Sequence, residues 1–435
     1  MSTKQISYCA ITDLSPHPDN ARKHTRAQVG AIAKSIEAFE FTAPILIDAK
    51  RRILAGHGRW EASKLVGLSH VPVIFLDHLT EAQAKAYMLA DNKLTDRSTW
   101  DDVKVATQLR ELSELALEFD IEATGFEAPE IDLRIQSLED TDAADRADEF
   151  EFAAGPAVSV VGDLWMLGNH RIYCGNSLED AAYAEFFEKE KATAAFTDPP
   201  YNVAIDGHAG GKGKIKHREF AMAAGEMSEA EFTSFLTTSL SRICAHTTAG
   251  GLIYACMDWR HLREMRAAAD TSGCDVVNLC VWVKSNGGLG SLYRSRHELI
   301  FVFRNGKDIH LNNVQLGRFG RNRTNVWNYP GVNNFARKGT KRVLEYHPTV
   351  KPILLVSDAI LDSTKRNDIV LDPFLGSGTT LLAAHRTERR CYGIELDPLY
   401  VDTAIERWQR MTGSQALNRA AETFDQVKLQ RSAVA

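Results

Sequence analysis

Short apolar runs alternate with stretches of helical period along most of the chain, and the two patterns predict most of its elements. Near the N-terminus, Val29, Ile32, Ala33 and Ile36 share one face of a helix over 28–39. Apolar runs at 6–11, 44–48, 53–55 and 71–76 read as short strands, with helices over 60–66, 81–90 and 102–119. Acidic residues then dominate. Glu139, Asp140, Asp142, Asp145, Asp148, Glu149 and Glu151 stand against Arg146 alone, which predicts a solvated linker over 136–157. Beyond it, residues 158–165 and 170–175 read as a hairpin about Leu167-Gly168-Asn169. Strands follow at 194–197, 251–256, 275–284, 298–303, 368–371 and 390–394. Helices over 229–245, 259–269, 353–364, 381–385 and 397–411 separate them. Strand and helix in turn predict a mostly parallel sheet covered on both faces, an α/β class. From Gly413 onward the chain looks loosely held.

Two stretches break this rhythm. After Tyr201, Gly207, Gly210, Gly211 and Gly213 are interleaved with Lys212, Lys214, Lys216, His217 and Arg218. Glycine makes such a loop mobile and the cations make it basic, as suits a lid that closes on a phosphate backbone. Residues 304–345 hold nine Lys and Arg, including Arg318, Arg321, Arg323, Arg337 and Lys338, against Asp308 and Glu345. Asn312, Asn313, Asn322, Asn325, Asn328, Asn333 and Asn334, and Phe319, Trp327, Tyr329 and Phe335 lie between them. Arginine reads guanine edges, asparagine reads adenine edges and aromatic rings stack on exposed bases. The whole chain is acidic, with net charge −6, so this basic surface is local.

Composition sets outer bounds. At 435 residues, 44% hydrophobic and 25% charged, the chain predicts two or three globular domains and excludes a fibrous or disordered one. No apolar run approaches the roughly 18–20 residues of a membrane helix, and no secretory pattern opens the chain, so a cytoplasmic protein is expected. The seven cysteines are scattered without a Cys-x-x-Cys pair, so neither a zinc site, nor any other metal, nor a disulfide framework is expected.

The chemistry gathers at two strand ends. Asp198-Pro199-Pro200-Tyr201 follows the apolar run at 194–197. Proline fixes φ and lacks an N–H, so this turn is stiff and offers a carboxylate, rigid carbonyl acceptors and a ring. Such a group suits a flat ring bearing an amino group. The second site begins at Asp372-Pro373-Phe374-Leu375-Gly376-Ser377-Gly378-Thr379-Thr380, between a strand and a helix, and Glu395 ends the next strand. Strand, Gly-x-Gly turn, helix, strand and acid is the order of an adenosine-binding unit. Leu381 stands where a dinucleotide fingerprint wants its third glycine. The acids at 372 and 395 favour a cationic, ribose-bearing ligand over a pyrophosphate.

Taken together, these motifs resemble the amino-group DNA methyltransferases, in the permuted order of the β group. His347-Pro348-Thr349-x-Lys351-Pro352, Trp282-x-Lys284 and Arg296-His297-Glu298 match further elements of that group, and the likeness spans 158–412. It implies a Rossmann-like sheet with helices on both faces and S-adenosylmethionine as cofactor. It implies Asp198, Pro199, Pro200 and Tyr201 as catalytic residues. Asp372, Phe374, Gly376, Ser377, Gly378, Thr379, Glu395 and Lys351 become the cofactor residues, and 304–345 the target-recognition region. Lys212, Lys214, Arg318, Arg321, Arg323, Arg337 and Lys338 become DNA contacts, the partner being double-stranded DNA and a homodimer a further expectation. Asp at the first motif position implies adenine N6 as target, with cytosine N4 as the alternative, in a bacterial or phage restriction-modification setting. Leu14-x-Pro16-x-Pro18-x-Asn20-x-Arg22, Pro44-Ile45, Gly56-His57-Gly58-Arg59 and Leu89-Ala90-Asp91-Asn92-Lys93 resemble a ParB/sulfiredoxin-like domain, a smaller α/β unit over 1–135. That likeness implies a nucleotide-phosphate pocket, for CTP or ATP, at Gly56, His57, Gly58 and Arg59. Two departures stand out: Glu40 replaces a usual glycine, and no helix-turn-helix is seen to follow. An alternative of another class is a nucleotide-dependent DNA-binding or nuclease protein with accessory methylation.

Overall fold

The computed structural model describes residues 4–95, 100–113, 115, 117–136, 138, 148, 150, 155–203, 225–284, 292–314, 323–329 and 350–432. It divides into two compact units, 1–140 and 141–435.

In the first unit, β1 (Ser7–Ala10), β2 (Ser15–Pro16), β3 (Ile45–Ile47), β4 (Arg52–Ala55) and β5 (His70–Phe75) form one sheet in the order β1-β5-β3-β4-β2. Ile45, Ile47, Ile53, Val71 and Val73 are fully buried in it. Helix α1 (Arg26–Phe39) starts where the Thr25 side chain accepts from the Gln28 N–H, and packs through Ala33 and Ile36 on Ala62 of α2 (His57–Val66). Helix α3 is Glu81–Thr95. The helix expected over 102–119 stops early, at Ser113, as α4 (Asp102–Ser113). A second helix, α5 (Ala128–Gln136), closes on it through Val105, Leu109 and Ile131.

The second unit is built on a ten-stranded sheet. Its strands are β6 (Leu164–Leu167), β7 (His170–Cys174), β8 (Ala192–Thr197), β9 (Thr247–Met257), β10 (Cys274–Val283), β11 (His297–Asn305), β12 (Val326–Asn328), β13 (Ile369–Asp372), β14 (Arg390–Glu395) and β15 (Leu417–Asn418). The order is β12-β10-β11-β9-β8-β13-β14-β7-β6-β15. The central run from β9 to β7 is parallel, as the alternation of strand and helix predicts, while antiparallel pairs flank it. Alternate residues of each strand point to opposite faces. Phe196, Val370 and Cys391 face α9 (Ile353–Ser363), α10 (Thr379–Arg386) and α11 (Pro398–Thr412). Ala195, Leu371 and Tyr392 face α6 (Asp180–Phe187), α7 (Glu229–His246) and α8 (Leu262–Ser272). Each fully buried Leu, Ile or Phe in these layers contributes about 1.5–3 kcal/mol.

Two expectations need correction. The acidic stretch before the sheet is not wholly solvated. Asp148 is buried and its carboxylate accepts from the Ile353 N–H at 3.2 Å, capping α9, while the Arg407 guanidinium lies 3.8 Å above the Phe150 ring. Nor is the C-terminal stretch loose. Strand β15 pairs with β6, and α12 (Phe424–Ser432) buries Phe424 completely against Trp165. Arg431 then bonds Asp163 at 2.6 Å. An apolar residue at helical spacing within a short polar helix is a weak signal, which is why the sequence pattern hides it.

Among the described residues no helix is long and apolar enough to cross a membrane, and no group of His, Cys, Asp or Glu could hold a metal ion.

Candidate active site

Parallel pairing decides what meets what. Strands β8 and β13 are direct neighbours, Val370 opposite Ala194 and Leu371 opposite Ala195, so their carboxyl ends lie on one edge of the sheet. Asp198 follows the first and Asp372 ends the second. Strand β14 pairs with β13 in the same sense and brings Glu395 to that edge. Strand β11 runs the other way, so its beginning, with Glu298, arrives there too, and Lys284 follows β10 beside it. In open parallel sheets ligands bind outside the carboxyl ends of the strands.

At the first motif both Asp198 oxygens are engaged. The Tyr201 hydroxyl donates to Oδ1 at 2.6 Å and the Lys351 ammonium donates to Oδ2 at 2.6 Å. Lys351 also reaches the Tyr201 oxygen at 3.2 Å and Glu298 Oε2 at 3.1 Å, and Glu298 Oε1 is bonded by Lys284. Lys351, expected among the cofactor residues, therefore sits with the catalytic tetrapeptide. It precedes α9, which packs over β8, and this aims its side chain at the end of that strand. Burial pushes the Asp198 carboxyl up, with Lys351 pulling against it and Glu298 adding to it. Burial would also raise Glu298, but its two lysines outweigh that and hold it at about 2. Asn202, which the sequence reading passed over, sits at φ +52 right after Tyr201. Its amide donates to the Met227 carbonyl at 2.7 Å and accepts from the Gly225 and Met227 N–H groups, tying residue 202 to the approach to α7.

The second motif forms an acid-lined turn. Asp372 is 3% exposed and accepts from the Phe374 N–H at 3.1 Å. Burial pushes it up to about 7, against the Thr380 hydroxyl and the Phe374 N–H. Glu395 accepts from the Gly376 N–H through one oxygen and the Asp397 N–H through the other, both at 2.8 Å, and burial pushes it up to about 7 as well. The two glycines differ. Gly376 lies at φ +53 with open space where a Cβ would be. Gly378 lies at φ +88 against helix α11, where a Cβ would come 2.8 Å from that of Ala404. Ser377 also faces α11, accepting from Arg407 at 2.8 Å through its carbonyl. Phe374 and Thr379 stay partly exposed at the edge.

The basic stretch behaves differently where it is described. Arg323 pairs with Asp358 at 2.9 Å and Asp362 at 2.7 Å, both on α9. Asn313 is buried and donates to the Leu361 and Thr364 carbonyls, closing the C-terminal end of α9. Trp327 is buried in the sheet core and Tyr329 bonds Asp358. Arg323, expected among the DNA contacts, and Asn313 are thus both engaged with α9 in this structure. Lys212, Lys214, Arg318, Arg321, Arg337 and Lys338 lie outside the described residues.

In the first unit, Gly56 sits at φ +101 as the N-cap of α2, so the helix opens without a side-chain cap. Gly58 allows close approach to Ile32 of α1. The Arg59 guanidinium lies over Gly56 and donates to the Pro44 carbonyl at 3.3 Å. The buried nitrogens His57 Nε2, His17 Nε2 and Arg59 Nε have no hydrogen-bond partner. Burial lowers the His57 imidazole to about 4, helped by His24 and His17.

The family described as DNA methylase matches residues 192–406, and the ParB N-terminal domain family matches residues 1–92. The chain carries an amino-group DNA methylase domain and a ParB N-terminal domain. The methylase domain is similar to the Type II methyltransferase M2.MboI of Moraxella bovis, 25% identical over 251 residues, which cover 56% of this chain and 89% of that protein. The ParB domain is similar to the ParB-like nuclease domain-containing protein YnaK of Escherichia coli (strain K12), 45% identical over 84 residues, 19% of this chain and 97% of that protein. Among solved structures, PvuII DNA methyltransferase (cytosine-N4-specific) aligns at 17% identity over 56% of this chain and 87% of that one, with a TM-score of 0.40. A third family, the ParB-methyltransferase HTH domain, matches residues 104–161. It overturns the expectation that no helix-turn-helix follows the ParB domain. The residues that read as one long helix and an acidic linker belong to it.

The methylase uses S-adenosylmethionine, and the residues present fit that cofactor. A buried carboxylate, Asp372, and a half-buried one, Glu395, both held near neutrality, call for a cation, and the sulfonium and α-ammonium groups are cations. Each Glu395 oxygen keeps a lone pair beyond its backbone bond, as a ribose diol requires.

Proposed function

We propose that this DNA methylase acts on N6 of adenine, at a specific sequence in double-stranded DNA. The observation that carries the reading is an aspartate, not a serine, at position 198, with its carboxylate at the end of β8 beside Tyr201. In the family resemblance aspartate accompanies adenine and serine accompanies cytosine N4.

The target base leaves the duplex stack to reach this edge. Asp198 and the Pro199 carbonyl accept from its amino group, raising electron density on nitrogen and aiming the lone pair. Pro200 stiffens the turn and the Tyr201 ring stacks on the base. S-adenosylmethionine supplies an electrophilic methyl group. Asp372 takes the amino-acid end of the cofactor, Glu395 the ribose, and Phe374, Gly376 and Thr379 border it. Asp198 and the Pro199 carbonyl would hold the amino nitrogen in line with that methyl group, and Asp198 would take the proton that the nitrogen sheds on becoming methylated. Holding both partners on one rigid sheet edge supplies much of the acceleration. Nucleoside analysis of DNA methylated by the purified protein tests the assignment. N6-methyladenine is expected, and N4-methylcytosine as the product overturns it.

A second reading concerns the ParB domain. The uncapped start of α2 and the unpartnered nitrogens of His17, His57 and Arg59 support binding of a nucleotide phosphate, of CTP or ATP, at Gly56, His57, Gly58 and Arg59.

A further inference from the structure

We propose that Glu298 is a positioning residue for methyl transfer: it takes over the Lys351 ammonium as an amino group donates to Asp198, freeing Asp198 to act as acceptor. This rests on the reading that Asp198 accepts from the target amine.

Asp198 is fully subscribed before any base arrives. Tyr201 holds one oxygen and Lys351 the other, each at 2.6 Å. An amine that joins Lys351 on Oδ2 meets a carboxylate whose charge is already drawn toward an ammonium. It also becomes cationic as the methyl group arrives, so the ammonium opposes the transfer. Lys351 is only 4% exposed, so its charge cannot retreat to water, and a bare buried cation is costly. A second carboxylate already stands beside it. Glu298 Oε2 lies 3.1 Å from Nζ, so a small swing of the lysine strengthens one pair as it weakens the other.

Glu298 is built to serve. It is the second residue of β11, opposite Trp282 in register, is 7% exposed, and its other oxygen is bonded by Lys284. Two acids and two lysines make a cluster of zero net charge, so the exchange moves no charge into or out of the interior. The groups facing Asp198 are Lys351 and Tyr201 in contact, with Glu298, Cys256 and Asp372 beyond and Lys284 behind Glu298. Charge-assisted bonds of this kind are about twice as strong as neutral ones, which makes their partition between two acceptors matter.

The test uses full-length protein, DNA and S-adenosylmethionine, with single-turnover rates across pH. Glu298→Gln should lower kcat by about 10- to 100-fold, since Lys351 then stays on Asp198, while cofactor Kd is unchanged. The same variant removes a like charge from the neighbourhood of Asp198, so the acidic limb of the rate profile should move to lower pH. Glu298→Asp, which keeps the carboxylate, should recover part of the rate. Lys284→Met leaves Glu298 with Lys351 alone and should move the limb to higher pH, and it keeps the question open to measurement if Glu298→Gln does not fold. Wild-type rates and an unmoved limb in Glu298→Gln, or an unmoved limb in Lys284→Met, overturn the proposal. Asp198→Ala separates the two layers: full activity there sinks the acceptor reading itself, whereas an inactive Asp198→Ala beside a normal Glu298→Gln sinks only the positioning role.

Discussion

Cofactor binding should be steeply pH-dependent in a window where ordinary carboxylates are silent. Asp372 and Glu395 are each held near 7 by burial, against ordinary values of 3.8 and 4.5. A ligand that presents a sulfonium and an α-ammonium group wants both acids ionised. With both at about 7, roughly a quarter of the protein is doubly ionised at pH 7 and about 1% at pH 6, a change of about 30-fold, or about 2 kcal/mol. The cofactor α-amine stays cationic across this window, so the dependence belongs to the protein. Titration calorimetry at pH 6 and pH 7, in buffers of different ionisation enthalpy, reads both quantities. Kd should rise about 30-fold on going from pH 7 to pH 6, with about one proton released per cofactor bound at pH 7. Asp372→Asn leaves one titrating acid and should reduce the dependence to about fivefold. Without cofactor, the stability that this pair contributes is fully present below about pH 4 and is lost as pH rises through 7, because the folded-state pKa lies above the unfolded one. A Kd that stays within twofold between the two pH values, with no proton release, would refute the reasoning.

Two further outcomes can be measured. Gly378→Ala forces a Cβ to 2.8 Å from Ala404 at φ +88, so thermal unfolding should show a loss of about 1–3 kcal/mol. Gly376→Ala, with open space at φ +53, should cost only about 1 kcal/mol of stability but weaken cofactor binding, and equal effects from both would contradict the distinction. In the ParB domain, Arg59→Ala should abolish protection of the domain by CTP or ATP in a thermal-shift assay while leaving methyl transfer intact; unchanged protection would count against a phosphate at the start of α2.

What the chain made legible follows from how local the signal is. Strands β8, β13 and β14 are short apolar runs that end in Asp-Pro or an acid, so turn chemistry marks their ends and the site acids mark themselves. Glu298 and Lys284 gave no such local mark of their role, because it depends on strands that are distant in sequence lying side by side. Composition does not show what Asn313 and Arg323 hold: a basic, amide-rich stretch reads as a nucleic-acid surface, and within it these two close and brace α9. Phe424 was hidden in a polar helix, and α5 of the HTH region in residues 128–136, to which the apolar pattern assigned no element. Glu40 is instructive in the other direction. Its place is usually taken by glycine, and it adopts φ +63 with ψ −177, a conformation that costs a non-glycine residue about 1–3 kcal/mol.

The side-by-side placement of β8 and β13 also sets an order of events during synthesis. Strand β8 emerges from the ribosome well before β13, and Lys351 lies 153 positions after Asp198. Until the last third of the chain is made, one side of β8 is an open edge of the kind that invites wrong pairing. Closing a loop of that length costs on the order of 4–5 kcal/mol of chain entropy before any contact repays it. A nascent or truncated chain thus holds the Asp-Pro-Pro-Tyr turn without an acceptor network or a methyl donor beside it. The enzyme cannot modify DNA until its own C-terminal strands have docked, so competence to methylate and completion of the fold are a single event.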